Sequence, residues 1–147
     1  MSKASRNKQR IGLIIGFVIL SYFASGYSPE KATSDPSVQN TLEQVIQQQR
    51  SDVQLEITGT VVTLFADDLD GRRHQKFLIR TANDHTILIA HNIDLAPRIN
   101  ELKKGDSVSV YGEYEWNEKG GVLHWTHHDS AGRHTGGWIK HQGKTYQ

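Results

Sequence analysis

From residue 53 onward, apolar and polar positions alternate with a period of two, the pattern of half-buried strands. Residues 53–65 (VQLEITGTVVTLF) keep Leu55, Ile57, Val61 and Phe65 near one phase. Residues 74–81 (HQKFLIRT) turn Phe77 and Ile79 inward and Lys76, Leu78 and Arg80 outward. In residues 86–91 (TILIAH), His91 shares the inward phase of Ile87 and Ile89. Residues 107–116 (SVSVYGEYEW) point Val108, Val110, Tyr114 and Trp116 one way, and residues 122–128 (VLHWTHH) do the same with Leu123 and Trp125. Turn-forming stretches separate these runs: ADDLDGRR at 66–73, Asn83-Asp84, LKKGD at 102–106 and NEKGG at 117–121.

Upstream the period is helical. Val38, Leu42, Val45 and Ile46 fall on one face, with Asp35 placed to cap and Pro36 suited to the first turn. This stripe is read as packing against the domain. Before it, residues 1–26 carry a basic start (Lys3, Arg6, Lys8, Arg10), an apolar run (IGLIIGFVILSYFA) and then Ala24-Ser25-Gly26. That is the plan of an export signal, with an uncleaved inner-membrane anchor as the alternative. The apolar run has about 14 residues where a bilayer asks for roughly 20, which favours cleavage after Gly26. Either way the positive flank stays inside, and the remaining chain is expected outside the cytoplasm, in the periplasm or tethered to the membrane. The expected organisation is residues 1–26 as leader, 27–52 as linker plus amphipathic helix, and 53–147 as the folded domain.

Three strands joined by short loops, a longer connection and then a hairpin outline the OB-fold, a five-stranded Greek-key barrel. Gly59 and Gly112 fall mid-strand, where strongly bent strands need relief from side-chain crowding. The predicted class is therefore an all-β, OB-like barrel with an N-terminal helix. A β-sandwich is the runner-up, with too few strands for two sheets.

Composition changes the picture in three ways. There is no cysteine, which excludes disulfides, thiolate metal sites and lipid attachment at a lipobox. Four of the 17 basic residues precede every one of the 16 acidic residues, so the chain after the leader carries 13 against 16, a net of −3. Bulk capture of nucleic acid is disfavoured by that charge, and an unknown small ligand or envelope component is the expected partner. Histidine, with eight residues, is over-represented.

In an OB topology the second strand runs antiparallel to the third, and the third lies beside the fifth in the same direction. The start of strand two and the ends of strands three and five then meet at one rim. His74, His91, Asn92, His127, His128 and Asp129 are gathered there, beside the loop carrying Asp67, Asp68, Asp70, Arg72 and Arg73. Ligand contacts are expected from His74, Arg72, Arg73, Asp68 and Asn92. A divalent, zinc-like metal is the candidate cofactor, held by His91, His127, His128, Asp129 and His134, the last folded back by glycine hinges. The spacing H-x-x-H-H-D-x4-H matches no established zinc pattern, and Asp68-Leu69-Asp70-Gly71 is only half a calcium loop. The same histidines also suit a plain network satisfied by carbonyls and carboxylates. A phosphodiester hydrolase using such a metal, with Arg72 or Arg73 clamping phosphate, is the rival function; a structural envelope protein is the third. Of the aromatics, strand phase leaves only Tyr111 and Trp138 as stacking platforms.

The runs AHNIDLAPRI (90–99), GEYEWNEKGGVLHWTHHD (112–129) and GRHTGGWIKHQGKTYQ (132–147) together resemble a small bacterial family, domain of unknown function 3465. The resemblance covers about residues 53–147 and implies a short exported or membrane-tethered protein with one OB-like domain. It implies no activity, substrate or catalytic residue.

Overall fold

The computed structural model describes residues 41–147. The expected leader, linker and Asp35 cap lie outside the described residues. Helix α1 (Leu42–Gln47) starts later than its periodicity predicts, because Thr41 is extended and caps it. The Thr41 hydroxyl accepts from the Gln44 backbone while the Gln44 side chain reaches back to Thr41, a reciprocal capping box. Val45 is buried in the barrel core, with Leu42 and Ile46 packed against it, as expected for the stripe. Among the described residues, no helix is long and apolar enough to cross a membrane.

Seven strands follow: β1 (Val53–Leu64), β2 (His74–Arg80), β3 (Thr86–Asn92), β4 (Ser107–Glu115), β5 (Val122–His124), β6 (Trp138–His141) and β7 (Lys144–Tyr146). Their order is β1-β2-β3-β5-β4, and a further β1–β4 pairing closes the five into a barrel. β3 and β5 run parallel and every other pairing is antiparallel, which is the OB circuit. Closure depends on the length of β1, which pairs with β4 through residues 53–60 and with β2 through residues 60–64. At the bend, a Cβ on Gly59 would stand 2.8 Å from the Arg80 carbonyl oxygen. Gly112 is tighter, since a Cβ there would meet the His124 carbonyl oxygen at 2.3 Å. Both mid-strand glycines let a neighbouring backbone approach closely.

The core is built from the predicted phases, including Leu55, Ile57, Phe77, Ile79, Ile87, Ile89, Val110, Tyr114 and Leu123. Two aromatic expectations are corrected. Phe65 faces solvent, 46% exposed, because the β1–β2 register slips between Val61 and Thr63. One extra residue in β1 reverses the alternation beyond it and carries Phe65 to the outer face. Trp125 is not the inward partner of Leu123. β5 ends at His124, and Trp125 takes φ +53°, so its ring packs on the His134 ring at 4.1 Å.

β6 and β7 lie beyond the predicted strands. β6 pairs with β4, matching Tyr111 with Trp138 and Val110 with Ile139, and Ile139 is wholly buried. His141 Nε2 donates to Asp106 Oδ2 at 2.8 Å, clasping β6 to the turn that opens β4.

Candidate functional site

The rim assembles as the topology requires. His74 lies opposite Asn92, and Asp68 bridges to His74 at the mouth of the β1–β2 loop. His91 bonds Thr126, next to His127, so the ends of β3 and the segment after β5 share one neighbourhood. What the rim residues do there is largely bind one another.

His91 is the clearest case. Its Nε2–H donates to the Pro97 carbonyl at 3.0 Å, which leaves Nδ1 to accept from the Thr126 hydroxyl at 2.8 Å. Burial pushes its pKa down to about 4, with the nearby His127 and His74 adding to the effect. The ring is neutral and both nitrogens are used within the protein. Gln75 and Ile99 form a second buried clasp: the Gln75 amide donates to the Ile99 carbonyl at 3.0 Å and accepts from its N–H at 2.9 Å. These two residues dock the connection between β3 and β4 onto the barrel.

The charges of the β1–β2 loop pair with that same connection. Arg98 binds Asp67 at 2.7 Å and Arg73 binds Asp94 at 2.6 Å. The Arg73 backbone and guanidinium donors hold the Asp94 carboxyl below the usual carboxylate range. Asp68 accepts from Lys76 at 2.5 Å and from the Asp70 N–H, and Lys76 lowers its pKa. Asn92 is buried and its side chain caps the Asp94 N–H. His74 Nδ1–H donates to the Arg72 carbonyl at 2.7 Å, while the Arg72 residue itself is exposed.

The C-terminal histidine loop is organised by Asp129. Burial raises its pKa, and the N–H donors of Ala131, His134 and Arg133 more than reverse that, holding it below the usual range. His127 is buried, and its Nδ1–H donates to the His128 carbonyl, while His128 is exposed. His134 lies edge-on to His127 at 4.9 Å between ring centres, with Nε2 3.7 Å from Asp129 Oδ2. Tyr111 and Trp138 meet each other at 5.8 Å, and Lys140 lies over the Trp138 ring at 4.1 Å.

Among the described residues, one set of three side chains brings donor atoms within metal-sharing distance of one another. It is Glu113, Glu115 and His124 rather than any three of His91, His127, His128, Asp129 and His134. The glutamates were legible as an i, i+2 pair on one strand face, but counting back across residues 117–121 sets His124 opposite Tyr114, and the observed register, shifted by one residue, pairs it with Glu113 instead.

A groove lies elsewhere on the surface, along the outer faces of β2 and β3. Its volume is about 410 Å³. Leu78 and Leu88, directly opposite in the register, form its floor. Phe65, just past β1, and Asn117, Lys119 and Gly121 of the β4–β5 hairpin also line it. Lys76 and Thr86 complete the lining. The sequence signal for this site was hidden, because a bulge decides on which side Phe65 lies.

Residues 23–147 match the family described as Protein of unknown function (DUF3465). No curated protein matches the chain.

Proposed function

This chain belongs to the DUF3465 family, and we propose that it is an exported OB-fold binding module whose ligand lies in the groove along β2 and β3. The carrying observation is the exposed Phe65 ring, at the start of the β1–β2 loop, lining one groove with Leu78 and Leu88 of β2 and β3. OB-folds present ligands across strands two and three, between the β1–β2 and β4–β5 loops. That likeness is one of fold, so the ligand class comes from the lining itself.

The lining is mainly apolar with amines at its edges, and its volume suits a small molecule. Lys76 is neutralised by Asp68, whereas the Lys119 amine has no ion pair among the described residues. The ligand class is a small amphiphilic anion: a flat apolar or aromatic body on Phe65, Leu78 and Leu88, with its carboxylate or phosphate at Lys119. The rim beside it supplies rigidity. Asp67, Asp68, Arg73 and His91 are held by bonds within the protein, while Arg72 and His128 stand exposed at its edge.

Export rests on the sequence of residues 1–26. Their basic start, apolar run and small residues before position 27 support secretion of the barrel across the inner membrane.

The test is chemical-shift mapping on ¹⁵N-labelled protein with a panel of nucleotides, sugar phosphates and aromatic carboxylates. Perturbations should cluster at Phe65, Leu78, Leu88 and Lys119. A binder whose shifts fall on other faces refutes the groove.

A further inference from the structure

A different patch of the barrel exterior carries donor atoms that the groove does not use. Glu113 and Glu115 stand two residues apart on β4, so the pleat sends both outward. The antiparallel register sets His124 of β5 directly opposite Glu113. His124 Nε2 lies 3.7 Å from Glu113 Oε1 and 3.5 Å from Glu115 Oε1. One donor atom from each side chain lies within 4.8 Å of the other two.

The imidazole nitrogen supplies the second observation. His124 Nε2 is shielded from solvent and has no hydrogen-bond partner among the described residues. An imidazolium bound to these carboxylates would close to about 2.7–2.9 Å, and both observed separations are longer. Donor atoms around a tetrahedral zinc, with bonds of about 2.0–2.2 Å, stand roughly 3.3–3.5 Å apart. At 3.5 and 3.7 Å, the two carboxylate oxygens stand near that spacing from the imidazole nitrogen.

We propose that Glu113, Glu115 and His124 form a three-ligand site for one divalent metal ion of the zinc class. Two carboxylates balance the ion's charge, and the imidazole selects transition metals over calcium and magnesium. The ligands are well supported. β4 is paired with β1 along residues 107–114, and the absent side chain at Gly112 lets the His124 backbone lie close against it. The Trp125 ring flanks the His124 imidazole at 5.3 Å. Three protein ligands leave a fourth position for water or for a donor from a ligand.

The test uses the untagged full chain, stripped of metal and titrated with Zn²⁺ by calorimetry and with Co²⁺ by visible absorption. One equivalent of each should bind, with a cobalt spectrum of tetrahedral type. The Glu113→Gln/Glu115→Gln double variant and His124→Gln should each lose at least tenfold in affinity, while His134→Gln retains it. Should a variant fail to fold, the His124 Nε2 resonance of the unaltered chain decides: it must move on addition of Zn²⁺. An unmoved resonance, no bound metal, or undiminished binding by a folded double variant overturns the site. None of these outcomes bears on the groove, which rests on other residues.

Discussion

The His91 imidazole and the Thr126 hydroxyl, 35 positions apart in the chain, meet at 2.8 Å inside the barrel. The bond ties the end of β3 to the segment leaving β5, where the two strands run parallel. With the Pro97 carbonyl on its other nitrogen, His91 joins three parts of the fold through one buried, uncharged ring.

That ring sets a pH dependence. Its pKa falls from 6.5 to about 4 on folding, so below 6.5 the unfolded chain takes up a proton that the folded chain refuses. Stability is fully present above pH 6.5 and is lost as pH falls towards 4, by roughly 3 kcal/mol at 1.36 kcal/mol per unit. Asp68, Asp94, Asp106 and Asp129, all lowered from 3.8, contribute losses only at more acid pH. Denaturant melts between pH 7 and 4.5 should show this slope. A His91→Gln chain that still folds should show it reduced by about one proton; an unchanged slope would assign the effect elsewhere.

The same bonds give His91→Ala a direct cost. It leaves the Pro97 carbonyl and the Thr126 hydroxyl without partners and opens a cavity. The expected destabilisation is about 2–4 kcal/mol by urea unfolding. A loss under about 0.5 kcal/mol, the scale of an ordinary surface change, would show that the clasp contributes little.

Two glycines separate close approach from backbone conformation. Gly112→Ala drives a methyl into the His124 carbonyl and should cost about 3 kcal/mol or more, or prevent folding. Gly132 has nothing within 4 Å of a Cβ and only its φ of +65° to lose, so Gly132→Ala should cost about 1 kcal/mol. Comparable unfolding midpoints for the two variants would contradict the packing at Gly112.

The proposed export signal is tested by intact mass. Protein recovered from the periplasm should begin at Tyr27 if cleavage follows Gly26. A mass retaining residues 1–26 would favour the membrane anchor.

Much of the barrel was legible because period-two alternation survives wherever one strand face is buried. Ile87, Ile89 and His91 declared β3, and Val108, Val110 and Tyr114 declared β4. Strand order followed from connection lengths, and with it the parallel β3–β5 pair that brings distant histidines together. Legibility failed where one residue breaks the period. The slip between Val61 and Thr63 reverses the face of Phe65, and the left-handed backbone of Trp125 ends β5 before the predicted strand is complete. β6 and β7 are short, and Gly143 and Gln142 mark their hairpin without an alternating run long enough to stand out. At the rim, residue types disclosed a neighbourhood but not its saturation. Whether a histidine is free depends on backbone carbonyls such as Pro97 O, which no side-chain pattern reveals.

The groove is tested most directly by titrating the tightest-binding member of the anion panel into the unaltered chain and into Phe65→Ala. Phe65 is exposed beside the groove and outside the buried core, so its replacement should leave the melting temperature nearly unchanged. The account predicts at least a tenfold loss of affinity, with a smaller loss for Lys119→Ala. Undiminished binding by Phe65→Ala, together with loss of binding in His74→Ala or Arg72→Ala, would contradict it and move the ligand to the rim.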